Sequence, residues 1–279
     1  SGGDQMSKRL KTFSYQLIAI LLIALVGFPI YWVIVTSFRP PRGGLFTAEF
    51  HLIPKDPTLE AYATAFQSPL LLWLRNSMLV CIPTILLVVF LAAPAAYIIS
   101  RHRFRGRRSI LMFLITVQLI PIMIALMPLY LIMAGLNLLN LYGLVLVYAA
   151  SFLPFHMINL KLFFDAIPLE MDESAYLAGA STLQILYRII LPLAKPGLAV
   201  SFVLAFMGVW NEYILARTFL LDSSQYTFSV AFGEITLYWQ TPWPVFAVMS
   251  IISSVPLIVV FIAAQRYLKE GLLRGGMRG

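Results

Sequence analysis

Six apolar runs, each long enough to cross a bilayer, dominate the chain: about 14–37, 74–100, 109–134, 142–163, 197–221 and 244–266. The hydrocarbon core of a membrane is ~30 Å thick and takes roughly 20 helical residues to cross. A soluble fold would have to bury all six runs against one another and cover them with polar surface. The chain lacks the material for that. Of its 279 residues 60% are hydrophobic and 11% charged, against roughly 25% charged in an ordinary soluble domain. No run shows sustained period-two alternation, which excludes a closed β-barrel. The expected fold class is an all-α integral membrane protein with six transmembrane helices.

The runs contain Pro29, Pro83, Pro94, Pro121, Pro128, Pro154 and Pro256. Each would cost a soluble helix ~3 kcal/mol, but membrane helices tolerate proline where neighbours or water satisfy the freed carbonyls. The first run, Leu17 to Val35, is too long for a signal-peptide core and no small-x-small cleavage site follows it. It reads as an uncleaved first span. Ser1 to Gln5, ahead of Met6, are set aside.

The net charge is +8, yet the cations lie in short clusters beside the apolar runs, a topology signal rather than a nucleic-acid surface. With the N-terminus in the cytoplasm, Arg39, Arg42, Lys55, Arg75 and Arg217 fall outside, and the other 15 of the 20 Lys and Arg fall inside. That bias puts both termini in the cytoplasm. The expected layout is an N-terminal tail 1–13, a six-helix transmembrane domain 14–266 with an inner loop 165–196, and a C-terminal tail 267–279, all in the inner (plasma) membrane. Cys81 is alone, and His51, His102 and His156 lie in three separate segments, so neither a disulfide framework nor a metal cluster is expected.

Among the outer loops, 38–73 is long. Asp56-Pro57 marks a helix start there, and Leu59, Tyr62, Ala63 and Phe66 follow as one apolar stripe suited to the interface. Gly135 to Leu141 is a tight turn. The loop 222–243 carries Tyr226, Phe228, Phe232, Tyr238, Trp239 and Trp243. These rings fit an interfacial belt, or a loop that meets a soluble partner or a sugar.

The inner segment Asp165 to Pro196 is too polar at its start for membrane and reads as two short helices. Pro168 opens the first, with Glu170, Asp172 and Glu173 in its early turns against the positive end of the helix dipole. Gly179 ends it in a left-handed position. Ser181 and Gln184 form a capping box for the second, which carries Leu183, Leu186, Ile189 and Ile190 on one side and stops at Pro192 and Pro196. A helix-turn-helix of this kind is a lever that another protein can dock on.

Glu173-Ser174-Ala175, three residues, Gly179, nine residues, then Ile189-x-Leu191-Pro192 resembles the EAA motif of binding-protein-dependent ATP-binding-cassette (ABC) importer permeases, E-A-A-x3-G-x9-I-x-L-P. Ser174 in place of the second alanine is the one departure. Trp210-Asn211-Glu212-Tyr213 looks like the W-N-E/D motif of the carbohydrate-uptake branch. The ending Gln265-Arg266-Tyr267, Gly271-Leu272 and Gly275-Gly276-x-x-Gly279 is similar to that of the MalG-like subunit, and Arg39 and Asn76-Ser77 fit the same subfamily.

The resemblance implies that the elbow is a coupling helix seated in a cleft of a cytoplasmic ATPase, with Glu173 anchored to a basic residue there, Ala175 allowing close approach and Gly179 making the turn. It implies that Gly275, Gly276 and Gly279 reach the ATPase interface. It also implies a second homologous permease subunit, two ATPase subunits that hold ATP and Mg, an extracytoplasmic solute-binding protein and a sugar ligand. The chain itself has no G-x-x-x-x-G-K-[ST] and is expected to be neither an enzyme nor a holder of a cofactor. Gln118, Trp210, Asn211 and Glu212 are the pathway candidates, since amides, carboxylates and flat rings match sugar hydroxyls and faces. For Glu212, Asn211 and Gln118 a structural or gating role stands ahead of direct sugar contact. Rival functions are an importer permease for a polyol or glycerol phosphate, and an ATP-independent secondary transporter. A phosphorylated ligand would want cations in the spans, where Arg217 is the one such residue away from the inner ends.

Overall fold

The computed structural model describes residues 2–41, 51–236 and 242–276. Among these residues every regular element is a helix: α1 Gly2–Ser37, α2 Glu60–Gln67, α3 Leu70–Arg101, α4 Arg107–Leu119, α5 Ile122–Gly135, α6 Leu141–Asp165, α7 Glu170–Leu177, α8 Thr182–Ile185, α9 Leu191–Leu193, α10 Lys195–Asn211, α11 Ile214–Phe219, α12 Phe228–Thr236 and α13 Trp243–Gly276. Four helices are long and apolar enough to cross a membrane, within Thr12–Ser37, Leu70–Arg101, Leu141–Asp165 and Trp243–Tyr267. Two bent pairs raise the number to six if each is one span: α4 with α5, bent by 95°, and Thr182–Leu193 with α10, bent by 80°.

The runs predicted at 109–134 and 197–221 are therefore not single helices. In the first, Pro121 has no amide hydrogen and drives the preceding residue out of the helical region. Ile120 is accordingly extended at φ −77°, ψ 118°. The second stops at Asn211, and Glu212 is extended at φ −70°, ψ 127°. The other internal prolines, Pro29, Pro83, Pro94, Pro128, Pro154 and Pro256, sit within continuous helices.

The chain divides into two compact units. The first comprises Ser1–Leu70 and Glu234–Ser254. Its α1 is exposed on nearly every side along its apolar stretch, of which 6% is buried. A helix apolar all round can rest only in lipid or against another membrane chain. Beyond it, Thr58 N–H donates to Phe38 C=O at 2.8 Å, Ser37 and Tyr62 share a hydroxyl hydrogen bond of 2.9 Å, and the Arg39 guanidinium lies 4.6 Å from the Trp32 ring centroid. The Thr58–Phe38 bond holds the chain out of helix past Asp56-Pro57, so α2 starts at Glu60, with its amide donating to Thr58 Oγ1 at 3.2 Å. Ala61 and Ala65 are its buried side. Leu59, Ala63 and Phe66 of the predicted stripe point outward, as an interfacial face requires.

The second unit, Leu71–Gly233 with Val255–Gly279, has two clusters of buried side chains. One joins Val80, Cys81 and Ile85 of α3 to Leu144, Val147 and Tyr148 of α6, Phe206, Val209 and Trp210 of α10, and Phe219 of α11. The other joins Ala92, Ala93, Ala96 and Tyr97 of α3 to Leu160 and Phe164 of α6 and to Ala175, Ile185, Leu186 and Ile190 of the elbow. Small residues permit the closeness. A Cβ on Gly208 would lie 2.6 Å from Phe152 Cε1, and one on Gly197 would lie 2.3 Å from Phe163 Cγ. Lipid tails are as apolar as leucine, so membrane helices associate through such close packing rather than through the hydrophobic effect. Part of the aromatic loop folds onto this unit: α12 buries Phe228, Val230 and Ala231, and Phe228 stacks on Phe232 at 5.7 Å. Tyr238 and Trp239 lie outside the described residues.

Candidate functional site

The elbow between α6 and α10 is built from short-range signals. Glu170, Asp172 and Glu173 occupy the first turn of α7. Gly179 follows the helix at φ +84°, a conformation that costs other residues about 1–2 kcal/mol. There its amide donates to Tyr176 C=O at 2.9 Å and the Ala180 amide to Ala175 C=O at 3.0 Å, closing the helix end. Ser181 Oγ accepts from the Gln184 amide and Gln184 Oε1 accepts from the Ser181 amide at 2.8 Å, the reciprocal cap expected. After Ile185 the chain enters a π-turn, Leu186–Ile190, before α9 and the bend at Ala194. The wider turn shifts the phase of the second helix. Its buried residues are Ile185, Leu186 and Ile190, whereas Leu183, predicted on the same side, is exposed.

The elbow has two faces. Asp172 and Ala175, one turn apart, face inward together with Ile185, Leu186, Ile190 and Ala194. Glu173, Ser174, Leu177 and Gly179 face outward, and Leu177 is 91% exposed. Of the motif residues, Ala175 thus packs into its own chain with residues of α3 and α6, while Ser174 and Gly179 are exposed. Ile189 and Leu191 are half-buried and Pro192 is exposed.

The inward face is tied to the end of α3. Tyr97 donates its hydroxyl to Asp172 Oδ1 at 2.7 Å, and Arg101 Nε stands 3.1 Å from Asp172 Oδ2. That second contact is ionic, without an aligned hydrogen bond. Arg101 Nη2 donates to Ile167 C=O at 3.0 Å, Ser100 donates to Asp165 at 2.6 Å, and Lys161 pairs with Asp165. In the sequence Asp172 signals only a helix start and Arg101 only topology. The i,i+3 spacing of Asp172 and Ala175, opposite Glu173, was the signal that Asp172 turns inward.

A second cluster surrounds the W-N-E motif. Trp210 is buried and stacks on Phe206 at 5.4 Å. Asn211 is exposed and its Nδ2 donates to Met207 C=O at 2.8 Å. Glu212 is half-buried. Its carboxylate accepts from the Tyr148 hydroxyl at 2.5 Å and from the amides of Leu215 and Ala216 at 3.0 and 3.1 Å. The residue thereby caps α11 and ties it to α6, satisfying amides that a helix start leaves unpaired. Ser229 donates to the Glu212 carbonyl at 2.7 Å, which adds α12. Farther on, Asp222 accepts from the Ser224 amide at 2.9 Å. That bond holds its carboxyl below the usual carboxylate range. Asn76 Nδ2 donates to the carbonyls of Ser224 and Tyr226, and the Phe228 amide donates to Ser77 Oγ. Asn76-Ser77 therefore docks this loop on the start of α3. Gln118, near the end of α4, is exposed with Nε2 donating to Leu114 C=O at 2.8 Å. It is not brought into either cluster. Gly275 and Gly276 continue the backbone of α13, and Gly279 lies outside the described residues. Among the described residues no group of His, Cys, Asp or Glu could hold a metal ion.

Apolar helices of spanning length, joined by an elbow whose outer face is left open, define a multi-pass membrane protein. Residues 89–274 match the family described as binding-protein-dependent transport system inner membrane component, and the chain belongs to that family. It is thus a transport permease subunit of the inner membrane. It is 33% identical over 273 residues to the galactooligosaccharides transport system permease protein GanQ of Bacillus subtilis (strain 168), covering 96% of this chain and 95% of the relative. It is 32% identical over 277 residues to the maltose/maltodextrin transport system permease protein MalG of Vibrio vulnificus (strain YJ016), covering 92% of each. In fold it is similar to a chain of a bacterial ABC transporter involved in the import of the acidic polysaccharide alginate, with a TM-score of 0.80 at 23% identity, covering 94% of this chain and 97% of that one.

Proposed function

We propose that this chain forms half of the translocation pathway of an ABC importer for a sugar or oligosaccharide, and that a separate ATPase works it through the α7–α8 elbow. The observation that carries the reading is the two-sided elbow. One face is locked to α3 and α6, and the other presents Glu173, Ser174 and Gly179 beside an almost bare Leu177. Leu177 stands with Tyr176 and Leu183, also exposed, on an otherwise polar knuckle, and apolar groups left open together suit a protein socket. The curated relatives favour a carbohydrate cargo, since their systems carry galactooligosaccharides and maltose or maltodextrin.

The proposed topology has six spans, with α4 and α5 together forming the third and α10 with α11 the fifth, and both termini in the cytoplasm. Arg101, Arg103, Arg105, Arg107 and Arg108 gather at the end of α3 that Asp172 binds, whereas Asn76 and Ser77 bind the 224–228 loop at its other end. With the cationic end inside, the elbow lies in the cytoplasm and the aromatic loop faces out toward a solute-binding protein. A second homologous permease would complete the pathway, and two ATPase subunits would hold ATP and Mg. The exposed amides of Asn211 and Gln118 are the groups of this chain offered to ligand hydroxyls, with Trp210 and Glu212 flanking Asn211 in the chain.

The test is co-expression with the candidate partners, followed by reconstitution in vesicles with a solute-binding protein and a panel of maltodextrins and galactooligosaccharides. Uptake that requires ATP, and a purified assembly holding two permeases and two ATPases, supports the reading. A chain that purifies alone and moves solute without ATP is a secondary carrier, and sinks it.

A further inference from the structure

The elbow is a covalent continuation of α6 and α10, so a push on it would be expected to act on those two helices. The buried polar contacts run elsewhere. Asp172 has a side chain 3% exposed, and Arg101 one 8% exposed. Both the ion pair and the Tyr97 hydroxyl bond belong to α3, which is not adjacent to the elbow in sequence. Arg101 also reaches Ile167, in the link between α6 and α7, and Ser100 reaches Asp165 at the end of α6. The last turn of α3 thus holds both the first helix of the elbow and the segment leading into it. Ala175 shares one buried apolar cluster with Ala92, Ala93, Ala96 and Tyr97 of α3 and with Leu160 and Phe164 of α6.

A buried ion pair is a costly way to hold two helices together. Apolar residues of the same volume often do it as well or better, and the attested advantage of the charged pair is to fix one geometry. Greasy contacts can slide by a fraction of a turn, whereas a carboxylate held by both a hydroxyl and a guanidinium cannot without stranding a charge.

We propose that Asp172, held by Arg101 and Tyr97, is a positioning residue that welds α7 to the inner end of α3, so that a displacement of the elbow moves α3 with it as one body. Rotation of α3 would then carry Asn76 and Ser77, and with them the 224–228 loop they bind, at its far end. One rigid helix would connect the lever to the face that meets the solute. This inference rests on the importer reading of the elbow.

The test uses the full assembled transporter in vesicles. The key variant is the neutral pair, Asp172→Asn with Arg101→Gln, which removes both charges together and so leaves neither stranded. Its amount in the membrane should match wild type and its ATP hydrolysis should stay within twofold, while solute moved per ATP falls at least fivefold. The swapped pair, Asp172→Arg with Arg101→Asp, should recover most of the loss. A neutral pair that couples like wild type overturns the weld. As a readout independent of these variants, spin labels at Glu170→Cys and Ile98→Cys, both exposed, report the α7–α3 separation in the otherwise native complex. The weld predicts the same distance distribution without nucleotide and with ATP trapped, and a distribution that shifts between the two states overturns it. Wild-type vesicles that fail to take up solute with ATP would instead count against the importer reading.

Discussion

Removing the Glu212 carboxylate separates a structural cap from a ligand contact. Three donors end on that side chain: the Tyr148 hydroxyl at 2.5 Å and the Leu215 and Ala216 amides at 3.0 and 3.1 Å. Loss of a helix-capping side chain costs about 1 kcal/mol. Leaving a buried hydroxyl such as that of Tyr148 without its partner adds about 1–3 kcal/mol. Glu212→Ala should therefore destabilise the protein by about 2–4 kcal/mol, and Glu212→Gln, which keeps one acceptor oxygen and the shape, by about 1 kcal/mol. Tyr148→Phe removes a single bond and should fall between wild type and Glu212→Ala. Because Tyr148 and Glu212 share that bond, the double variant Glu212→Ala with Tyr148→Phe should cost less than the two singles together. Denaturant unfolding of the purified complex reads the order directly. The assignment fails if Glu212→Ala unfolds like wild type while ligand uptake is lost, for then the carboxylate serves the solute and not α11.

At the α6–α10 contact, Gly208→Ala would put a methyl 2.6 Å from the Phe152 ring. It should cost about 1–3 kcal/mol, with thermal stability largely regained by adding Phe152→Leu. The Cβ of Gly179→Ala meets no atom within 4 Å, so the substitution suffers only backbone strain at φ +84°, about 1–2 kcal/mol. The complex should still assemble, yet uptake per ATP should drop, while Gly179→Asn, which tolerates the left-handed region, should stay close to wild type in the same vesicle assay. Deleting Gly275 to Gly279 should lower uptake without lowering the amount of protein in the membrane, as blotting of membrane fractions would report, and normal uptake by the truncated chain would remove the tail from the ATPase contact.

What the residues announced in advance was local. The end of α7 at Gly179 and the capping box at Ser181 and Gln184 depend on residues within a few positions of each other, and both formed where expected. The apolar runs are equally direct, since length and hydropathy are properties of the run itself. Their continuity was not. Pro121 breaks one candidate span while six other prolines leave their helices continuous, because whether a freed carbonyl is satisfied depends on neighbours the run does not contain. Likewise the interruption at Glu212 involves Tyr148, 64 residues away. The contact of Tyr97 with Asp172 spans 75 residues. Only one face of α7, with Asp172 and Ala175 a turn apart, hinted at it. The π-turn at Leu186–Ile190 has no local mark, and it changed which apolar residues of the second elbow helix face inward.

The proposed function requires the outer face of the elbow to meet an ATPase in the cytoplasm. Cys81, the chain's single cysteine, is buried, so a cysteine introduced at Glu173 would react with little background. In vesicles of known orientation carrying the whole complex, Glu173→Cys should be modified by an impermeant maleimide only from the cytoplasmic side, and a short bifunctional reagent should join it to the ATPase subunit. Modification from the outside, or cross-linking to every neighbour except a nucleotide-hydrolysing chain, would contradict the account.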